Sequence, residues 1–169
     1  PSCAPPVHRG TPCLRATLAA KHAVFAKLVN IFKPSQTFLK ACLKQNKTEL
    51  RAGDVVLIRT GHGKLWMVDN QYYGDGEPGI GMGAAKFLTD AGVSMIGADT
   101  WAIEAVPHEN DEDSFPVHQW NITRNGVYHI ENLDLEGLAA DNVTEFAFVF
   151  SPLRLKGATG SPGNPIAVK

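Results

Sequence analysis

The sequence predicts an α/β fold whose sheet is at least partly parallel, and three stretches carry that prediction. GDVVLIRTG holds a continuous apolar run, Val55 to Ile58, as expected of a strand buried on both faces. VSMIGADT, from Val93, is a second buried strand. Between them MGAAKFLTDA reads as a helix that Gly79 to Gly83 start and Gly92 ends. Strand, loop, helix, strand is the order of a crossover unit, which places the two strands parallel.

The remaining elements follow in chain order. Residues 1–34 open with PSCAPPVHRGTPC, an irregular proline-rich lead-in. LRATLAAKHAVFAKLVNIF then reads as a helix, with Leu14, Leu18, Val24, Phe25, Leu28 and Ile31 or Phe32 on one side, and Pro34 stops it. Ser35 is the expected N-cap of a second helix, QTFLKACLKQ, whose face is Phe38, Leu39, Cys42 and Leu43. Residues 61–83 form a long glycine-rich loop carrying Trp66, Tyr72 and Tyr73, which either wall a pocket for a flat substrate or pin the loop down. GIGMGAA lacks the G-x-G-x-x-G spacing and a preceding apolar strand, so a nucleotide site is rejected. HENDEDS (108–114) lacks calcium-loop spacing and reads as a solvated acidic loop. LDLEGLAAD is a short helix or turn, FAFVFSPL a strand, and the Gly/Pro-rich tail a structured loop or a close-approach surface.

Composition excludes several classes of function. With 169 residues the chain fits one domain with a real core, and 44% hydrophobic with 20% charged residues is ordinary for a globular protein. A formal net charge of −1 gives no reason to expect nucleic acid or an anionic membrane as partner. No run approaches the ~18–20 apolar residues of a membrane span. Cys3, Cys13 and Cys42 form no C-x-x-C pair. Their odd number points to a reducing, cytoplasmic setting, with a Cys3–Cys13 bridge as the minor alternative. The N-x-T triplets at Asn46, Asn121 and Asn142 are read as chance, since no leader precedes them.

Chemistry concentrates in FPVHQWNITRNGVYHIEN, Phe115 to Asn132. It reads as a hairpin turning at Asn125–Gly126, which would bring His118 and Glu131 together across the strand pair. Imidazole beside carboxylate supplies two ligands of a zinc or manganese site, though the same two residues also serve as plain strand polar groups. His129 would share Glu131's face and is a candidate for supporting a metal ligand or transferring a proton. A further ligand would come from His8, His22, His62, His108 or a neighbouring subunit.

From about Leu50 onward the chain resembles the cyclase family of metal-dependent hydrolases, which includes bacterial kynurenine formamidases and isatin hydrolases. GDVVLIRTG, PGIGMGAAKFL, GVSMIGADT, FPVHQW, IENLDLEGL and FVFSPLRLKGATGSPGNPIAV carry the resemblance, in collinear order. It implies a single domain with a mixed β-sheet of the swivelling β/α/β kind, assembled as a homo-oligomer. It also implies Zn- or Mn-dependent hydrolysis of a small-molecule amide, formamide or lactam, with His118 and Glu131 as metal ligands. Their separation is one residue longer than the resemblance leads one to expect, which places an insertion in the intervening turn. The family's H-x-G-T-H-x-D motif is absent. VHRGTPCLRA has a histidine and a Gly-Thr, but no aspartate follows. Residues 1–34 are therefore read as a divergent or truncated lead-in to a family-like core at 50–169. The alternative to the enzyme is a non-catalytic or truncated family protein that serves in binding or assembly.

Overall fold

The computed structural model describes residues 21–27, 33–110, 112 and 114–169. One six-stranded mixed sheet organises them. Its strands are β1 (Lys21–Lys27), β2 (Val55–Arg59), β3 (Met95–Ala98), β4 (Tyr128–Ile130), β5 (Glu145–Val149) and β6 (Ile166–Val168), in the order β4-β3-β2-β1-β5-β6. β4, β3, β2 and β1 are mutually parallel, with Val55 opposite Ala23 and Met95, and Ile96 opposite His129. β5 and β6 continue the sheet antiparallel.

The apolar run of β2 is explained by burial on both faces. Val56 and Ile58 join Leu39, Ile80, Leu88 and Ile96 in one core, while Val55 and Leu57 join Phe25, Leu135, Phe146 and Phe148 in another. Helix α1 (Gln36–Asn46) contributes Leu39 to the first core. It begins at Ser35, whose hydroxyl accepts the Phe38 N–H, and ends at Lys47 in the left-handed conformation. The short helix α2 (Asn70–Asp75) lies in the long loop, and α3 (Met82–Asp90) crosses between β2 and β3, burying Ala84, Ala85 and Leu88. Gly92, at φ +76°, ends that crossover.

The expected helix over 14–32 is corrected where it is described: residues 21–27 are strand β1. Its Ala and Lys content favours helix, but Ala23, Val24 and Phe25 are fully buried between β2 and β5, and tertiary pairing overrides propensity. The rest of that segment, with Cys3, Cys13 and His8, lies outside the described residues, as does the His22 side chain.

The expected strand before Asn125 is also corrected. Pro116–His118 is a helical turn, α4, which runs into a π-helical segment, Gln119–Arg124. Pro116 at its first position favours a helix start, and Val117 and Asn121, four apart, are both buried. Helix α5 (Glu136–Ala140) packs on the second core through Leu135 and Ala139. No helix among the described residues is long and apolar enough to cross a membrane.

Candidate metal centre

Parallel strands deliver their following loops to one end of the sheet, the usual place for a site in an α/β fold. Here β2 leads into Thr60–His62, β3 into Asp99–Val106 and β4 into Glu131–Asn132. Buried carboxylates lock these loops. Asp99 accepts the Thr60 N–H (2.7 Å), the Thr60 hydroxyl (2.8 Å) and the Gly61 N–H (2.8 Å). Glu77, fully buried, accepts the Trp101 and Ala102 N–H groups at 2.6 and 2.7 Å. Burial and the nearby carboxylates Glu131 and Asp99 push Glu77 up to about 8 against those two hydrogen bonds.

His118 and Glu131 meet, although by a helix-to-strand route and not as a hairpin. His118 Nε2 lies 3.1 Å from Glu131 Oε1, and His118 Nδ1 lies 2.6 Å from Glu104 Oε1. Glu104 also accepts the backbone N–H groups of His118 (2.9 Å) and Val117 (3.2 Å). Burial alone would raise the Glu104 pKa, but the His118 ring and these N–H donors outweigh it and hold the carboxyl below its ordinary range. Burial likewise opposes the His118 imidazolium, yet its hydrogen bonds to Glu104 and Glu131 lift it to about 9.

His129 completes the cluster. Its ring centroid is 4.6 Å from that of His118, and His118, His129 and Glu131 can each offer one ligand atom within 4.8 Å of the others. Burial, and then the His118 charge, press His129 down to about 3, so its ring is neutral. Asn121 Nδ2 stands 2.9 Å from His129 Nε2, while the buried Asn121 Oδ1 and His129 Nδ1 have no hydrogen-bond partner among the described residues. Rotating that amide by half a turn lets Oδ1 accept the Nε2 proton and leaves a lone pair on Nδ1.

These residues fit a divalent ion. Two imidazole nitrogens and a carboxylate oxygen are a common zinc donor set, and two ligand atoms on tetrahedral zinc sit roughly 3.4 Å apart. The 3.1 Å between His118 Nε2 and Glu131 Oε1 is close to that separation. No other group of three such side chains is found among the described residues.

The remaining candidate histidines take other posts. His62 stacks on Tyr73 at 5.0 Å and contacts the Tyr73 carbonyl through Nε2. His108 accepts the Phe115 N–H at Nε2 and keeps Nδ1 3.6 Å from Glu104. Aromatic groups adjoin the cluster: Phe115 stands edge-on to His118 at 5.3 Å and to Trp101 at 6.4 Å. The Tyr73 hydroxyl donates to Asn132 Oδ1 (2.7 Å), beside Glu131. Tyr73 is pushed up to about 12 by burial and by the charges of Glu77, Asp99 and Glu131.

Sequence reasoning missed Glu104, Glu77 and Asn121. Glu104 had a signal: a lone carboxylate inside the apolar run AIEAV must be paired when that run is buried. Asn121, read as part of a chance N-x-T triplet, is fully buried, which leaves no room for a glycan.

Residues 17–105 match the model of the family described as Cyclase. Among solved structures the chain is similar to a novel cyclase at 29% identity and TM-score 0.77, covering 89% of this chain and 54% of that one. It is similar in fold to an isatin hydrolase bound to the product analogue thioisatinate (21% identity, TM-score 0.71, 86% of this chain and 59% of that one). It also shares its fold with a predicted metal-dependent hydrolase from Bacillus stearothermophilus (18% identity, TM-score 0.62, 88% and 63%). The chain therefore spans between half and two thirds of the length of these three structures. No curated protein matches it.

Proposed function

Because this chain belongs to the cyclase family, we propose that His118, Glu131 and His129 hold a divalent metal ion, zinc or manganese, for hydrolysis of an amide, formamide or cyclic amide. The observation that carries the reading is the convergence of three ligand atoms within 4.8 Å, one of them on a half-buried histidine clamped by a buried carboxylate. Structural relatives described as a predicted metal-dependent hydrolase and an isatin hydrolase support the reaction class.

When bound, such an ion supplies Lewis acidity, which lowers the pKa of water toward ~7 and polarises a carbonyl. The chain's own residues do the rest. His118 donates its Nδ1 proton to Glu104 and presents Nε2. Glu131 presents Oε1, and neutral His129 presents Nδ1 either as the third donor or as a proton acceptor for the leaving amine. Trp101 and Phe115, edge-on to each other beside His118, would offer an apolar flank to a flat carbonyl compound. Leu153, Leu155, Ile166 and Val168 are exposed along the tail and support self-association, through which a neighbour would add donors.

A second reading is a non-catalytic family member used in binding or assembly. It is favoured by one specific observation: VHRGTPCLRA keeps a histidine and a Gly-Thr but no following aspartate, a departure from H-x-G-T-H-x-D. Elemental analysis of purified protein separates the two. About one Zn or Mn per chain, lost in a His118→Ala, Glu131→Ala double variant, supports the hydrolase and directs formamide and lactam substrate screens. No metal in the wild type, and none taken up from added Zn or Mn, refutes it.

A further inference from the structure

We propose that Glu104 is a positioning residue that fixes both the backbone and the ring of His118, so that Nε2 is the only His118 nitrogen free to bind metal. The inference rests on the metal-site reading above and extends it to a residue outside the ligand set.

The argument begins with how firmly Glu104 is itself held. Its segment follows β3 and is tied down on both sides. Trp101 and Ala102 donate their N–H groups to Glu77, Ile80 donates to the Ile103 carbonyl (3.0 Å), and Val106 exchanges two backbone hydrogen bonds with Glu77 (2.9 and 3.0 Å). Gly79 packs so closely there that a Cβ would sit 2.3 Å from the Glu104 carbonyl carbon. The Glu104 side chain is 2% exposed, so water does not compete for its oxygens.

Three donors then converge on that carboxylate. Oε1 takes the His118 backbone N–H and the ring Nδ1–H, and Oε2 takes the Val117 N–H. Phe115, the residue before Pro116, caps the helical turn with no side-chain hydrogen bond, so Glu104 does the capping from another segment. One group therefore sets where the helical turn starts and which way the imidazole faces. A carboxylate on Nδ1–H fixes the tautomer and raises the basicity of Nε2. Without it the ring is free to turn and to offer either nitrogen.

The test measures metal binding directly. Zn(II) affinity is read by competition with a chromophoric chelator for wild type, Glu104→Gln and Glu104→Asp, with Co(II) visible spectra reporting the ligand geometry. Loss of an outer-shell partner of a ligating histidine typically weakens metal binding ~10–100-fold. Glu104→Gln is expected to show that loss at unchanged stoichiometry with an altered Co(II) spectrum. Glu104→Asp, which keeps the charge, is expected to recover part of the affinity. Wild type that binds Zn(II) while Glu104→Gln binds it within twofold overturns this inference alone. Wild type that binds no Zn(II) overturns the metal-site reading and this inference with it. Ring ¹⁵N shifts of the Zn(II)-loaded wild type need no variant. Protonated Nδ1 with metal-shifted Nε2 on His118 supports the proposal, and the reverse assignment overturns it.

Discussion

Gly79→Ala should be the most damaging one-methyl change near the site, and the structure gives its size. The added carbon would lie 2.3 Å from the Glu104 carbonyl carbon, 2.5 Å from the Ile103 oxygen and 2.6 Å from the Glu104 oxygen, whereas ordinary contact begins at 3.4 Å. All three neighbours are backbone, so no side-chain rotation relieves the clash. Residues 79–80 and 103–104 must separate by about 1 Å, which breaks the Ile80 N–H to Ile103 carbonyl bond. Overpacking costs about 1–3 kcal/mol, and the lost hydrogen bond adds about 1 kcal/mol. A loss of about 2–4 kcal/mol lowers the Tm of a domain this size by roughly 5–15 °C. Because the displaced segment carries Glu104, metal affinity should fall together with stability. The control is Gly83→Ala in α3, where a Cβ meets nothing within 4 Å. That change should stabilise by about 0.4–1 kcal/mol. Urea and thermal denaturation of both variants provide the assay. A Gly79→Ala protein within 0.5 kcal/mol of wild type would refute the packing argument.

Three further outcomes can be checked. Asn121→Leu leaves the His129 ring without its partner and should cost about 1–3 kcal/mol in a urea melt. Metal affinity should also fall, and if stability alone changes, His129 is not a donor. Tyr73→Phe should remove the phenolate absorbance that appears near pH 12 in an alkaline titration. Since the folded Tyr73 pKa lies above its ordinary value of 10, wild-type stability falls as pH rises from about 10 to about 12, and the variant should lack that loss. The Glu136 carboxyl is held below its ordinary 4.5 by hydrogen bonds from Arg59 and Lys64, with Arg59 Nε 2.8 Å away. Its stabilisation is present above that value and is lost as pH falls through the folded pKa. Glu136→Gln should therefore cost about 1 kcal/mol at pH 7, for a partly exposed pair, and the gap to wild type should close in acid. Parallel acid limbs would contradict this.

The crossover was legible because β2, α3 and β3 are each set by a local pattern: an apolar run, a helical face closed by Gly92, and a second apolar run. β1 was not. Its residues are helix-favouring in isolation, and only the neighbours that bury Val24 and Phe25 decide otherwise. Glu131 and His118 could be paired from their sequence neighbourhood, yet the intervening conformation could not. The residue that starts the helical turn there, Glu104, lies fourteen positions from His118 and contacts it only in the folded chain. Period-two and period-3.6 patterns hold no record of a cap supplied from elsewhere in the chain. Asn121 was missed for the same reason, since its burial follows from the π-helical segment and not from its flanking residues.

One feature of the sheet sets the dynamics of the site. Among the described residues β4 is an edge strand of three residues paired with β3 alone, and His129 and Glu131 ride on it or just beyond it. His118 instead belongs to a helical turn held by the buried carboxylate of Glu104. The two halves of the donor set therefore sit on units of unequal local stability, and fraying of β4 can separate them while the central strands stay closed. An ion bridging the halves would act as a staple across that seam. Amide hydrogen exchange at Tyr128 to Asn132 should then slow with rising metal concentration, well before the exchange of β2 responds.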